Sequence, residues 1–564
     1  MPRLSGAQFI ADSLAAYGVS HVFFVPAIMS RTLAELDLRT DIKRILTHGE
    51  KAAVYMADGY ARASGRPGVS FAQCVGAANL AAALRDPFLA CSPLVVFTGG
   101  SYPATRHRHT YQQIDDFPLF KPVTKYSAHV DQISRLPDLF RQAFRAATTG
   151  TPGPAHIELQ GHMGELELDV DELPVITEPP FSQIPALRPS ADPEAVAQAA
   201  RCLQQAERPV IVAGGGVRAS GAGPELVELA ERLAIPVATA LNAKDVIPGN
   251  HRLSVGVPGL YCRKSANQVV LEADLVFFVG SHTGSQVTFK WQVPPVGTPV
   301  IQLDINPEEL GRHYPNDVSL LGDAKVALRQ LIEATDACTA AKRDEWVARA
   351  EWLARQWREE FAPVMNSDAV PIRPERICRD LTQLMPPDTL LVSETGHSGM
   401  WTGGMIDLNK PGQGYIRAAG SLGWGLPAAL GAKLAQPERP VLLFSGDGGF
   451  WYHLSELETA VRWNIDAVLL INNNRALNQE IDIYTEAYGG QLRGKHAELW
   501  QFRDVSFAEL ARTMGAQGFR VRKPGELSGA LDKAFSSKQP TVVEVMTEMT
   551  AVAPLAFLNE AESS

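Results

Sequence analysis

Val441-Leu442-Leu443-Phe444-Ser445-Gly446-Asp447-Gly448-Gly449, with Ala467-Val468-Leu469-Leu470-Ile471-Asn472-Asn473-Asn474 further along, decides how the chain is read. Each stretch is an apolar run of strand length that breaks into small and polar residues. Runs that are apolar on both faces are the mark of parallel strands covered on both sides. In open parallel sheets, ligands bind beyond the carboxyl ends of the strands. Glycines there let backbone N–H groups approach an anion, and the N-terminus of a following helix, expected over Leu454 to Arg462, favours it further. An aspartate in the same loop suits a magnesium ion, which prefers oxygen ligands and bridges to phosphates. An asparagine side chain and a carbonyl from the neighbouring strand end would complete such a site. The pair of loops therefore reads as a diphosphate–Mg²⁺ clamp.

The same alternation of strand and helix extends outward in both directions. Towards the N-terminus, Leu4 to Tyr17 and Lys51 to Ala63 have helical patterning, and Val22 to Val25, Pro93 to Thr98 and Ala155 to Leu159 read as strands. Pro174, Pro179, Pro180, Pro185, Pro189 and Pro193 mark a linker. Beyond it come the strand Pro209 to Ala213, a glycine-rich turn, a helix over Pro224 to Ala234, and strands at Asp274 to Val279 and Pro299 to Leu303. A charged helix from Lys342 to Phe361 leads to a second link near Pro363 and Pro371. The last segment has a helix over Pro374 to Leu384, a strand over Thr389 to Ser393, the two strands quoted above, and a final strand over Thr541 to Val545. The expected fold is α/β, with three doubly wound parallel-sheet domains over residues 1–175, 190–335 and 370–550.

Bulk properties fit this picture. A chain of 564 residues has room for several domains. A net charge of −10 argues against broad nucleic-acid binding, although Arg106-His107-Arg108-His109 is a local basic cluster. The six cysteines are scattered with no CxxC pair, which fits reduced thiols rather than a zinc site or a disulfide framework. The N-terminus lacks the apolar core of a signal peptide, and no run approaches the ~20 apolar residues of a membrane span. The expectation is a cytoplasmic protein with no membrane and no nucleic-acid partner.

Gly446-Asp447-Gly448 followed by an asparagine run ending at Asn474 resembles the cofactor signature of thiamine-diphosphate enzymes, and the whole chain resembles the acetolactate-synthase-like family in particular. The resemblance implies that Asp447, the Asn474 side chain and the Ala476 carbonyl bind Mg²⁺, with Asn473 as the ligand if the register slips by one. Gly446, Gly448 and Gly449 would lie against the diphosphate; many relatives carry serine in place of Gly449. Glu50, in Thr47-His48-Gly49-Glu50-Lys51-Ala52-Ala53, matches the glutamate that hydrogen-bonds the aminopyrimidine ring, where a carboxyl withdrawn from water can share a proton. Gln73-Cys74-Val75-Gly76-Ala77-Ala78-Asn79 resembles the glycine-containing turn near that ring, which brings in Asn79. Gly396-His397-Ser398 resembles the loop that meets the diphosphate, with His397 and Ser398 in contact. Leu422, in Gly420-Ser421-Leu422-Gly423-Trp424, matches the apolar wedge between the two cofactor rings. Tyr111-Gln112-Gln113 resembles the Phe-Gln-Glu stretch of acetolactate synthases, which makes Gln112 a substrate-side residue. The family implies a homodimer or homotetramer that shares its sites between subunits.

Several stretches depart from the family. Phe24-Val25-Pro26-Ala27-Ile28-Met29-Ser30 lacks the paired glycines usual after this proline. The tryptophan that acetolactate synthases place beyond the metal loop is absent, with Ile483 nearest in register. His48, His107, His109 and Glu480 are alternative acid–base groups, each also readable as a surface residue. In the middle segment, Gly214-Gly215-Gly216 is a turn of the kind that holds FAD or ADP in some relatives, but Gly280 to Ser285 lacks the arginine expected with FAD, so no nucleotide is favoured there. These readings lead to a carboligase acting on a 2-oxo acid. The alternatives are a lyase or decarboxylase, of the 2-hydroxyacyl-CoA, 2-oxo acid or oxalyl-CoA kind, whose acyl-CoA substrate the tail Thr547 to Ser564 would cover unless it is frayed, and a relative that has lost activity.

Overall fold

The computed structural model describes residues 4–161, 163, 164, 169, 170, 173–261, 263–335 and 343–554. Cys262, Cys338, the start of the predicted helix at Lys342 and the tail beyond residue 554 lie outside the described residues. The chain packs into two compact units. One comprises Met1–Leu187, Ala418–Glu438 and Tyr452–Ala467; the other comprises Arg188–Arg417, Arg439–Trp451 and Val468–Ser564.

The first unit is built on a six-stranded sheet. Its strands are β1 (His21–Phe24), β2 (Lys43–Leu46), β3 (Gly68–Ala72), β4 (Leu94–Gly99), β5 (Tyr126–His129) and β6 (Pro154–Leu159), in the order β2-β1-β3-β4-β6-β5. Every pairing is parallel, and β3, β4 and β6 are buried along their whole length. The second unit holds two more such sheets. The middle one comprises β7 (Pro209–Ala213), β8 (Val237–Thr239), β9 (Ser254–Gly256), β10 (Leu275–Val279), β11 (Val300–Asp304) and β12 (Val318–Leu321), in the order β9-β8-β7-β10-β11-β12. The other comprises β13 (Leu390–Ser393), β14 (Gly414–Arg417), β15 (Val441–Gly446), β16 (Val468–Asn473), β17 (Gln517–Val521) and β18 (Thr541–Met546), in the order β14-β13-β15-β16-β18-β17. The first and third sheets share one strand order and the middle sheet has another. All three are parallel sheets flanked by helices, as the sequence predicts.

Two helices position the first unit's functional residues. Helix α1 (Glu50–Ser64) follows Gly49 and ends at Gly65, whose φ of +70° closes it in the left-handed conformation glycine favours. Helix α2 (Cys74–Leu89) follows β3 directly. A third, α3 (Gly215–Ser220), opens at the glycine turn of the middle sheet. Further along the chain come α4 (His397–Met405), α5 (Gly425–Ala435) and α6 (Asp447–Trp451). Helix α5 belongs to the first unit and crosses α1 at backbone contact. A Cβ on Gly59 would lie 2.0 Å from the Ala428 carbonyl oxygen, and one on Gly431 would lie 1.9 Å from that of Met56.

The structure corrects several local expectations. The glycine-containing turn at Gln73–Asn79 and the loop at Gly396–Trp401 are the first turns of α2 and α4. Neither helix has a side-chain cap, so the usual start signal is missing. Pro363 lies inside the helix Asp344–Met365 rather than in a link; so near the end it removes only one backbone bond. The asparagine run is not all loop, because Asn472 and Asn473 complete β16. The helix directly after the glycine–aspartate loop is α6; the one predicted over Leu454 to Arg462 starts at Glu456 and belongs to the first unit. The tail is not frayed where it is described. The Thr547 N–H donates to the Asn473 carbonyl at 3.0 Å, and Ala551 and Ala553 are buried.

Candidate functional site

In the second unit the two loops read as a clamp lie at adjacent strand ends. Strands β15 and β16 pair in parallel, with Gly446 opposite Asn472. Asp447 opens α6 and is 2 % exposed. Burial pushes its carboxyl up to about 7, opposed by hydrogen bonds from the backbone N–H groups of Gly448, Ala476, Asp447 itself and Arg475. Among the described residues, no basic side chain forms an ion pair with it. Arg475 has a φ of +60°, and this left-handed turn folds the chain back so that the Ala476 N–H reaches the Asn474 side-chain oxygen at 3.1 Å. Asn473 points to the other face of β16. Its amide donates to Glu544 at 2.8 Å and its oxygen accepts from the Arg475 N–H. Asn472, on the same face as Asn474, keeps a buried side-chain oxygen with no partner.

These donors suit a hard divalent cation. The carboxyl of Asp447, the amide oxygen of Asn474 and the orphaned amide oxygen of Asn472 are all oxygen ligands in a buried site where an unpaired carboxylate is costly. Asn473, by contrast, is committed to Glu544.

The glycines of the loop are enforced by neighbours. A Cβ on Gly448 would lie 2.4 Å from Leu477, and one on Gly449 would lie 2.6 Å from Glu394. Glu394, at the carboxyl end of β13, is 1 % exposed and accepts the Thr395 N–H at 2.8 Å. It thus fills the space that a serine at position 449 would need. Ser398 in the first turn of α4 is buried, with its hydroxyl 3.5 Å from a Cβ built on Gly446. His397 Nδ1 and the Asn478 side-chain oxygen are 2.8 Å apart, and burial lowers the pKa of the imidazole, against that bond. The Asn478 amide donates to the Met549 and Ala551 carbonyls, so the same residue holds the start of the tail.

In the first unit, Glu50 is half-buried at the N-terminus of α1 rather than enclosed. Its carboxylate accepts from the Asn79 amide at 3.2 Å and presses on Gly76, where a Cβ would lie 2.5 Å from it. Asn79 is exposed on the second turn of α2. Gln112 joins the same neighbourhood through its backbone, because the Cys74 thiol donates to the Gln112 carbonyl at 3.5 Å. Leu422 is half-buried in the turn before α5. The loop after β1 holds Ala27 at a φ of +71° and Met29 at +48°, a glycine-favouring backbone kept without glycines. Ile483 is 55 % exposed, His48 binds Glu458 at 2.8 Å, and His107 and His109 are exposed.

Sequence reasoning missed Glu394, Asn478 and Asp86. The first was accessible through the strand-end rule, since it directly follows Ser393. Two of the partners of Asp86, the N–H groups of Ala419 and Ser421, lie more than 300 residues away, beyond any local pattern.

The match to known proteins covers the chain from end to end. Residues 4–119 match the thiamine pyrophosphate enzyme N-terminal TPP binding domain, 196–331 the central domain, and 394–545 the C-terminal TPP binding domain. A probable acetolactate synthase large subunit of Methanocaldococcus jannaschii is 32% identical, with 98% of this chain and 93% of the relative covered. The acetolactate synthase isozyme 1 large subunit of Escherichia coli is 28% identical over 96% of this chain and 94% of its own length. The acetolactate synthase large subunit of Corynebacterium glutamicum is 29% identical over 100% of this chain and 90% of its own.

Proposed function

The chain belongs to the thiamine-pyrophosphate enzymes of the acetolactate-synthase-like kind, and from that premise we propose that it is a thiamine-diphosphate- and Mg²⁺-dependent carboligase acting on a 2-oxo acid. The observation that carries this reading is a buried Asp447 carboxyl and an orphaned Asn472 oxygen at the ends of two paired strands. In this reading Asp447, Asn474 and the Ala476 carbonyl hold the cation. Asn473 is excluded by its bonds to Glu544 and Arg475. Gly446, Gly448 and Gly449 offer their backbone to the diphosphate, with His397 and Ser398 at its edge. Bound there, the cofactor would supply an electron sink for the 2-oxo carbon whose C–C bond is broken or made. Glu50 holds a proton at the aminopyrimidine with Asn79 steadying its carboxylate, Leu422 wedges the rings, and Gln112 faces the substrate.

We assign residues 1–175 to a pyrimidine-binding domain, 190–335 to a middle domain and 370–550 to a diphosphate-binding domain. The assembly is a homodimer or homotetramer, a reading supported by Val75, Phe88 and Leu89, which α2 leaves exposed. The assigned compartment is the cytoplasm; among the described residues no helix is long and apolar enough to cross a membrane. The middle-domain glycines serve packing rather than FAD or ADP, because Gly280 sits against Gly214 and Gly216.

Two observations favour a second reading. The glycine-free loop at Ala27 and Met29 and the exposed Ile483 depart from acetolactate synthases around the substrate, which suits a lyase or decarboxylase acting on a larger 2-oxo acid or an acyl-CoA. Proton NMR of the enzyme with thiamine diphosphate, Mg²⁺ and pyruvate separates the two. Acetolactate is the expected product; acetaldehyde, or no reaction with cofactor bound, gives the second reading. Glu50→Gln should keep the cofactor and lose most turnover, and unchanged turnover would remove Glu50 from the mechanism.

A further inference from the structure

The turn carrying Leu422 is held from both sides by a buried ionic network that the proposed chemistry does not use. The Ala419 N–H donates to both oxygens of Asp86, at 3.0 and 2.9 Å, and the Ser421 N–H donates to Oδ2 at 3.0 Å. On the other side, the Trp424 indole N–H donates to Asp58 Oδ2 at 2.8 Å. Asp58 lies on α1 and Asp86 on α2, and both are wholly buried. Arg62 joins them, with Nη2 2.9 Å from Asp86 and Nε 2.9 Å from Asp58, and its guanidinium stacks 4.6 Å above the Trp424 ring. Burial opposes the Arg62 charge, but the two carboxylates outweigh it and hold its pKa above the ordinary value.

Leu422 itself is half-buried in the turn. The backbone around it is set by Gly420 at a φ of +131° and Gly423 at +92°. A glycine-flanked turn is intrinsically loose, so its position depends on what holds its N–H groups. A wholly buried carboxylate is retained only when its acceptor capacity is filled. Here two donors from the turn and one from Arg62 do that.

We infer that Asp86 is a positioning residue, which sets the depth of Leu422 against the cofactor rings, with Arg62 as its counter-charge. This rests on the assignment of Leu422 as the wedge. The carboxylate is required because Asp86 accepts through both oxygens. An asparagine would turn an NH₂ group towards N–H donors and lose one side of the grip.

The test compares Asp86→Asn, Asp86→Glu and Leu422→Ala. Backbone amide exchange over residues 418–424 is measured first without cofactor, by mass spectrometry. Titration calorimetry then gives thiamine diphosphate affinity with Mg²⁺, and steady-state kinetics give kcat and KM. Asp86→Asn should speed exchange over 418–424 about tenfold while α1 and α2 stay protected. It should also weaken cofactor binding and lower kcat with little change in KM. Asp86→Glu keeps the charge but moves the carboxylate by one methylene. It should hold exchange near the parent value and still lower kcat, which keeps the test open if the asparagine variant does not fold. Unchanged exchange in Asp86→Asn, or parent kcat in Asp86→Glu, overturns the inference. Parent affinity and kcat in Leu422→Ala would instead overturn the wedge assignment beneath it.

Discussion

Two glycine-rich strand ends in the second unit put the same residue to different uses. After β7, Gly214 and Gly216 let the backbone of Gly280 approach. The Gly214 N–H donates to Val279, the Gly216 N–H donates to Gly280, and Cβ atoms there would lie 2.2 and 2.7 Å from Gly280. After β15, Gly448 and Gly449 lie against the side chains of Leu477 and Glu394, beside the buried Asp447. The first turn closes on the chain itself. The second keeps a buried carboxyl with no counter-charge among the described residues and an amide oxygen with no partner. A glycine count cannot separate these cases; what separates them is that the first glycines meet backbone, while the second lie beside a buried carboxyl with no counter-charge.

The comparison breaks most readily at Asp447. Asp447→Ala should weaken Mg²⁺-dependent thiamine diphosphate binding about 100-fold or more by calorimetry, since even indirect partners of a metal site are worth about 10–100-fold. Undiminished binding would mean that the orphaned oxygens serve something else and that the two turns are alike. Gly214→Ala tests the other side. The obstacle is backbone, so overpacking should cost about 1–3 kcal/mol, near the upper end, in urea unfolding, with cofactor affinity unchanged. Lost cofactor affinity in the folded variant would show that the middle turn is not merely structural.

The fold was legible because its signals are local and repeated. Runs such as Val441–Ser445 and Leu94–Thr98 are apolar on both faces, and only a covered parallel strand needs that. The placement of the candidate clamp loops was legible for the same reason, since both follow such runs at strand ends, where open sheets bind ligands. Misreadings fell where a distant partner overrides local chemistry. Asn473 looks like a loop residue but extends β16, because Glu544 on β18, itself fully buried, accepts its amide. The starts of α2 and α4 carry no capping side chain and so gave no helix signal. Asp86 reads as an ordinary helix residue until the N–H groups of Ala419 and Ser421 come to it.

Gly449 sharpens the contrast on a finer scale. Its neighbour is the side chain of Glu394 rather than backbone, so Gly449→Ser should cost less than Gly214→Ala, about 1–2 kcal/mol. Adding Glu394→Asp withdraws one methylene and should recover most of that loss. If the double variant is no more stable than the single one, Glu394 is not what keeps serine out of the loop.

The smallest effect concerns a third acid at a strand end of this unit. Asp304 closes β11 and is 5 % exposed; burial raises its pKa, opposed by hydrogen bonds from the N–H groups of Asn306 and Ile305 and by His282. In the unfolded chain an aspartate ionises near 4. A raised folded value means that Asp304 contributes its stability in full below about pH 4 and loses it as pH rises through the folded value. An asparagine side chain at this position would not titrate and could still accept the Asn306 N–H, which Asp304 now accepts at 2.9 Å. Asp304→Asn should therefore gain on the parent in urea midpoints as pH rises above about 4, with cofactor affinity unaltered. A difference that stays flat with pH would mean that Asp304 is already ionised in the fold. The middle sheet would then also hold a buried charge in need of a partner, and the distinction between the two strand ends would fail.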